Sequence, residues 1–217
     1  MNTVAVITAK RFTAAKQRMT GGVSEEKRLA LVEAMLGDVL EAVADARQVT
    51  STVVVTGEAV AADLAAASGA GVVHDPEDAG HVGAATMGIE RALELGAETV
   101  VLLPGDCPLL ESREVDSLVT GLPDPFVAVV PDRHGAGTNA LAMRPPDAIA
   151  PSFGEDSCER HLSLARSAGV PHAVDQVEGL ALDLDTPADI VALTTKIEMA
   201  RAAGRNPARR TAAVLGI

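Results

Sequence analysis

At 217 residues, 47% hydrophobic and 22% charged, the chain can bury a normal core, which excludes long-range disorder. Its three aromatics, Phe12, Phe126 and Phe153, cannot build the stacking platforms that bind single-stranded nucleic acid, and a net charge of −12 opposes any phosphate backbone. That charge is segregated, with +4 in residues 1–24, +4 in residues 196–217 and −20 between them, and a basic N-terminal loop on an acidic protein can bind a small anion.

The chain opens on Val4–Thr8, read as a buried strand, and a polar loop then runs to Gly22. Ser24 caps a helix to about Ala44, with Leu29, Val32, Leu36, Val39, Leu40 and Val43 at helical spacing. Thr52–Thr56 is a second strand, Ala59–Ala67 a helix and Val72–His74 a short strand. A helix over Gly83–Leu95 leads to the buried strand Thr99–Leu103. A helix over Arg113–Thr120 follows, then two strands, Phe126–Pro131 and Asn139–Met143, read as an antiparallel insertion. A helix over Cys158–Ala168, strands at His172–Val174 and Leu180–Leu182, and a helix from Pro187 to about Ala202 complete the pattern. The basic C-terminal end, 200–217, reads as a frayed helix end and tail. Strand–helix alternation in the first half requires parallel crossovers, so the expected fold is α/β, with a mixed, mostly parallel sheet in one domain spanning 1–217.

Cys107 and Cys158 form neither a disulfide framework nor a zinc pattern. No apolar run reaches membrane-spanning length, and the chain enters its first strand with no signal-peptide pattern. A cytoplasmic protein with no membrane or nucleic-acid partner is the expectation. P-loop, dinucleotide and nucleophile-elbow motifs are missing; Gly135-Ala136-Gly137 precedes a strand, not a helix.

Four segments can carry chemistry. Ala9-Lys10-Arg11-Phe12-Thr13-Ala14-Ala15-Lys16-Gln17-Arg18 follows the first strand, where open parallel sheets bind ligands, and its four cations suit a polyphosphate. A solvated basic loop is the plainer reading. Leu102-Leu103-Pro104-Gly105-Asp106 sets one carboxylate at the end of a buried strand, and magnesium commonly takes one or two carboxylates plus substrate phosphates. Cys107 beside it reads as small apolar packing. In Leu182-Asp183-Leu184-Asp185-Thr186-Pro187, alternation sends Asp183 and Asp185 to one side; Asp183 is a candidate second metal carboxylate, and either Asp185 or Thr186 can cap the helix. Finally, Gly135–Asn139 and Phe153–His161 combine glycines with the hydroxyls of Thr138 and Ser157. Free amides at the start of the helix there, with Arg160 and His161 adding positive charge, would favour an anion. Turns and a cap are the alternative.

Together these segments resemble the 2-phospho-L-lactate/phosphoenolpyruvate guanylyltransferase family of deazaflavin cofactor (coenzyme F-420) biosynthesis. The likeness runs from A-K-R-F-T-A-A-K-Q-R-M through L-P-G-D-C-P-L-L, G-A-G-T-N-A-L and S-F-G-E-D-S-C-E-R-H to L-D-L-D-T-P-A-D-I, up to about residue 195. The resemblance implies a Rossmann-like three-layer α/β/α sandwich of the nucleotide-diphospho-sugar transferase type. It also implies transfer of GMP from GTP to the phosphate of a small phospho-acid, with release of pyrophosphate. Carried over by position, Thr138, Gly154 and Ser157, joined by Arg160, would hold the acceptor, and Asp106 and Asp183 would hold magnesium. Lys10, Lys16 and Arg18 would meet the GTP phosphates, with Lys10, Lys16 and Asp106 as the catalytic set. Val82-Gly83 stands where family members often carry Leu-Asn, which puts Gly83 at a nucleotide-binding position. A homodimer is left open.

Two rival readings stand beside this one. A related nucleotidyltransferase with a molybdopterin or sugar-phosphate acceptor is opposed by the missing L-x-x-G-x-G-x-R-M loop. A non-catalytic nucleotide-binding module is opposed by the presence of both Asp106 and Asp183. Phosphoenolpyruvate, 2-phospholactate and 3-phosphoglycerate all carry a phosphate and a carboxylate, and the sequence does not separate them.

Overall fold

Alternation within the β-branched runs decides the layering. In β1 (Thr3–Ala9), Ala5 and Ile7 join one core and Val4 and Val6 another. β2 (Ser51–Thr56) and β4 (Thr99–Pro104) repeat the division, with Val54, Val101 and Leu103 against Val53, Val55, Val100 and Leu102. A strand buried on both faces needs helices on both faces. The computed structural model, which describes residues 1–12 and 24–217, supplies them. α1 (Glu25–Ala44), α2 (Ala59–Ala67), α4 (Ser112–Val119) and α6 (Pro187–Ala202) contribute to the first core; α3 (Gly80–Glu94) and α5 (Ser157–Ser167) contribute to the second. The result is the three-layer sandwich.

The sheet has seven strands in the order β3-β2-β1-β4-β6-β5-β7, with β3 at Gly71–His74, β5 at Phe126–Pro131, β6 at Thr138–Arg144 and β7 at His172–Val174. Among the described strands, only β6 runs against its neighbours β4 and β5; the other pairings are parallel. This is the antiparallel insertion read from the sequence. It brings the first residues of β6 to the same sheet edge as the last residues of β1 and β4, where Thr8 pairs with Pro104. Gly88 allows α3 to lie close on that sheet, since a Cβ there would sit 2.2 Å from Val6 Cγ1. Among the described residues, no helix is long and apolar enough to cross a membrane.

Two sequence expectations fail. Leu180–Leu182 is not a strand: a 3-10 turn covers Glu178–Leu180, and Gly179 N donates to Glu114 Oε1 at 3.0 Å instead of to a ladder partner. The C-terminal end is not a frayed tail. Arg209–Leu215 forms a helix, α7, docked on α1, with Thr211 and Ala212 fully buried. Asp38 of α1 accepts from Arg210 N and Thr211 N, both at 2.9 Å, and so satisfies two amides at the start of α7. The positive charge that suggested a solvated tail instead meets acids: Arg209 pairs with Glu41, and Arg205 with Glu111 at 2.7 Å.

Candidate active site

Beyond the carboxyl ends of β1 and β4, a cavity of about 330 Å³ opens between the sheet edge, α1 and the segment before α6. Its size falls within the range of small-molecule sites, and its place follows the rule for open α/β sheets. Val32 and Leu36 of α1 supply apolar lining. Lys10, His81, Asp106, Thr138, Asn139, Asp183 and Asp185 supply the polar lining.

Two segments bring the carboxylates together. β4 ends in Pro104-Gly105-Asp106, and a Cβ on Gly105 would lie 3.2 Å from Leu36 Cδ1 and 3.4 Å from Thr8 O, so a small residue lets the chain turn close against β1. In the segment before α6, Leu182 and Leu184 are buried while Asp183 and Asp185 are half-buried and line the cavity. The period-2 alternation read from the sequence thus operates here in chain that pairs with none of the described strands. Thr186, not Asp185, is the helix cap, in a capping box with Asp189.

Asp189 anchors this segment. Its Oδ2 accepts from Asp185 N (2.9 Å), Thr186 N (2.7 Å) and Thr186 Oγ1 (2.9 Å), and its Oδ1 accepts from Arg133 at 2.5 Å. Burial pushes this carboxyl up, but the Arg133 guanidinium and the Thr186 and Asp185 donors outweigh it and hold the pKa at about 2. Arg133 sits in the β5–β6 connection, so one ion pair ties the acidic segment to the hairpin that carries Thr138. Asn139 Nδ2 adds a second tie, donating to Leu180 O at 2.6 Å.

The donor set suits magnesium. Hard carboxylate oxygens from Asp106 and Asp183 border one cavity, and among the described residues no group of three or more His, Cys, Asp or Glu could hold a metal ion alone. Magnesium sites typically need only one or two carboxylates, because substrate phosphates and water fill the rest.

Thr138 lines the cavity at the start of β6, and its hydroxyl lies 3.0 Å from His161 Nδ1. His161 is fully buried in α5 and packs edge-on against Phe153, ring centroids 5.1 Å apart. Burial first, and then the Arg160 charge, lower its pKa to about 4. The expectation that His161 adds positive charge is therefore wrong: the ring is neutral at pH 7.

The remaining predicted acceptor residues do not line the cavity. Ser157 is 1% exposed, and its amide donates to Gly154 O at 3.2 Å; the next amide, of Cys158, donates to Ala136 O at 3.0 Å. These two amides at the start of α5 are not free for an anion, contrary to the sequence reading. Arg160 wraps residues 152–155, donating to Ser152 Oγ (3.0 Å), Ser152 O (2.8 Å), Phe153 O (3.2 Å) and Glu155 O. Gly154 has φ +117, a conformation open to glycine, and its missing Cβ leaves room beside the guanidinium. Gly154, Ser157 and Arg160 thus shape the loop next to Phe153, which does line the cavity.

Of the residues expected to meet the GTP phosphates, Lys10 lines the cavity, whereas Lys16 and Arg18 lie outside the described residues. Phe12 is buried; its amide donates to Glu58 Oε2 at 3.1 Å, and its carbonyl accepts from buried Arg28 at 2.8 Å. Gly83 lies in the first turn of α3, where a Cβ would meet Ala79 Cβ at 2.6 Å, while His81 and Ala85 of the same helix line the cavity. Cys107 is fully buried in the apolar core, as its packing reading requires. Sequence reasoning missed the Arg133–Asp189 pair, whose members stand 56 residues apart with no motif joining them.

Comparison with known proteins gives the family and the fold. A family model described as "Guanylyl transferase CofC like" matches residues 3–202. The chain is 42% identical over 204 residues to a phosphoenolpyruvate guanylyltransferase of Conexibacter woesei, covering 93% of this chain and 91% of the relative. It is 38% identical over 215 residues to a 3-phospho-D-glycerate guanylyltransferase of Phenylobacterium zucineum, covering 97% and 94%. Among solved structures, a Desulfovibrio desulfuricans G20 protein assigned as a nucleotide-diphospho-sugar transferase superposes with TM-score 0.76 at 20% identity, covering 99% of this chain and 94% of that one. A CMP:2-keto-3-deoxy-manno-octonic acid synthetase complexed with CTP gives 0.60 at 14% identity, covering 92% and 99%. The structures establish the fold as that of the nucleotide-diphospho-sugar transferases. With a cavity at the sheet edge and relatives matched along nearly its whole length, the chain belongs to the CofC-like guanylyl transferase family and is a nucleotidyltransferase.

Proposed function

We propose that the protein transfers GMP from GTP to the phosphate of a small phospho-acid, with phosphoenolpyruvate as the acceptor, and releases pyrophosphate. The observation that carries this reading is the meeting of Asp106, Asp183, Lys10 and Thr138 around one cavity. The acceptor is inferred from the name of the Conexibacter woesei relative. The 3-phospho-D-glycerate named for the Phenylobacterium zucineum relative makes that acid the direct competitor. A place in deazaflavin cofactor synthesis, where the sequence resemblance puts such a transfer, belongs to the same proposal.

The reaction asks the protein for placement and charge. A phosphate oxygen of the acceptor attacks the α-phosphorus of GTP, and the bond from that phosphorus to the bridging oxygen breaks. The β- and γ-phosphates leave as pyrophosphate, and the acceptor and GMP end joined by a new P–O–P linkage. The nucleophile is already anionic, so no strong general base is needed. Magnesium held by Asp106 and Asp183 would offset the repulsion between the two phosphates and stabilise the departing one. Lys10 neutralises further phosphate charge, and Thr138 orients the acceptor. The Arg133–Asp189 pair keeps the acidic segment in register with Thr138.

The test is pyrophosphate release from GTP and magnesium with phosphoenolpyruvate, 2-phospholactate or 3-phosphoglycerate. Release with phosphoenolpyruvate at the highest kcat/KM is expected. A higher kcat/KM with 3-phosphoglycerate or 2-phospholactate would overturn the choice of acceptor, and release with none of the three would overturn the reading.

A further inference from the structure

His161 makes two hydrogen bonds whose directions are linked. Ser152 N is a backbone donor, so at 2.8 Å from His161 Nε2 that ring nitrogen must be the acceptor. A neutral imidazole carries one N–H, which must then be on Nδ1. The ring is fully buried and holds its pKa at about 4, so the neutral form is the one present at pH 7. Nδ1–H therefore donates to Thr138 Oγ1 at 3.0 Å, and the hydroxyl oxygen is an acceptor in that contact. The proton of Thr138 is left to point elsewhere, and Thr138 lines the cavity.

From this geometry we infer that His161 is a positioning residue, which fixes the Thr138 hydroxyl as a hydrogen-bond donor toward the acceptor phosphate through a chain running Ser152 N–H to imidazole to Thr138 to phosphate. The inference rests on the proposed reading of the cavity as the acceptor site. Without the ring, a threonine hydroxyl rotates freely and can turn its lone pairs, not its proton, toward an anion. The same ring holds Ser152 at the head of the loop that Arg160 wraps, and Phe153 of that loop packs on it and lines the cavity. One buried side chain thereby orients a donor on β6 and seats the adjoining wall.

Two measurements test this. Long-range proton–nitrogen correlation on wild-type protein at pH 7, with the ring assigned to His161 by through-bond correlation to its own backbone, reads the tautomer. An Nδ1–H ring is expected, and an Nε2–H ring overturns the inference without any variant having to fold. The second measurement is a kinetic cycle of His161→Phe, Thr138→Val and the double variant. His161→Phe should raise the KM for phosphoenolpyruvate about tenfold, the scale of one hydrogen bond to a charged group, while the KM for GTP stays within about twofold. In the Thr138→Val background it should add nothing further. Additive effects, or equal effects on both KM values, would show a merely structural histidine. The two kinds of failure are distinct: an active wild type with an additive cycle overturns the role of His161 alone, whereas a wild type that releases no pyrophosphate overturns the acceptor-site reading itself.

Discussion

Asp106 and Thr138 face one cavity from the ends of adjacent strands, yet the local structures around them differ. Asp106 follows the end of β4, which is buried from Thr99 to Leu103, where Pro104-Gly105 turns the chain close against Thr8 and Leu36. Thr138 stands at the start of an antiparallel strand and is oriented by a buried ring from a helix that follows later in the chain. The first arrangement fixes where a charge sits; the second fixes which way a proton points. Substitutions should therefore act on chemistry at the carboxylate rim and on both orientation and stability at the threonine wall.

The largest separation comes from Asp106→Asn. The amide keeps the shape of the side chain but removes the charged oxygen ligand, so kcat should fall a hundred- to a thousandfold, about 3–4 kcal/mol of barrier. The melting temperature should hold within a few degrees, because the amide keeps the volume and shape of the carboxylate. Pyrophosphate release together with a melting curve checks both halves. Activity within about tenfold of wild type would remove Asp106 from the metal site.

The same contrast separates what is legible in the amino-acid sequence from what is not. The carboxylate rim is legible because its signals are local: a β-branched run ending in Gly-Asp, and period-2 alternation through Leu182-Asp183-Leu184-Asp185. The sheet, its parallel half and the antiparallel insertion are legible for the same reason. The threonine wall is only half legible. Thr138 stands out beside its glycines, but nothing local says that His161 is buried and neutral, or that Arg160 spends its donors on the loop beside it. The docking of α7 escapes a reading that counts its positive charge without the acids of α1 that it meets. Leu180–Leu182 misleads because a strand needs a ladder partner that no single segment reveals.

A pH series sharpens the comparison next. His161 has an ordinary pKa of 6.5 and a folded pKa of about 4, so the unfolded chain holds more protons across that interval. The native state is fully favoured above about pH 6.5 and loses stability as the pH falls toward 4, with a total on the order of 3 kcal/mol for a fully buried ring. His161→Phe abolishes this titration, so its stability should be flatter over the interval even if it is lower at pH 7. Denaturant midpoints for both proteins from pH 7 to pH 4 decide this. Parallel curves would mean that the ring takes up its proton equally in the folded and unfolded states, so that burial does not lower its pKa.

Asp189 works in a separate, more acidic window. Its folded pKa, about 2, lies below the ordinary carboxyl value of 3.8, so its contribution is present above about pH 4 and is lost as the pH falls toward 2. Asp189→Asn tests the tie at neutral pH. A carboxylate offers both oxygens, one to Arg133 and one to Asp185 N, Thr186 N and the Thr186 hydroxyl, whereas an amide offers one and turns NH2 toward the other donors. A loss of about 2 kcal/mol is expected, the scale of a buried donor left unmet. Because the same tie sets Asp183 and Asp185 against Thr138, kcat should fall as well. A destabilised variant with unchanged kcat would confine the pair to helix capping.

The smallest effect is expected far from the cavity, where α7 docks on α1 by two kinds of contact. Arg209 pairs with Glu41 across the junction, but its side chain is 61% exposed and Glu41 is 34% exposed, so water competes for both partners. Exposed pairs of this kind contribute roughly 0–1 kcal/mol. Asp38 is 7% exposed and accepts the Arg210 and Thr211 amides, which no other group in the helix can satisfy. Arg209→Ala should therefore shift stability by under about 0.5 kcal/mol and fade further in 1 M salt, which shortens screening to roughly 3 Å. Asp38→Ala is the control on the same interface; it leaves two amides unmet and should cost about 1–3 kcal/mol with little salt dependence. Urea midpoints at low and high salt compare the two variants directly. If Arg209→Ala proves the more damaging, then charge, and not the buried carboxylate, is what docks the helix, and the basic C-terminal segment owes its place to electrostatics after all.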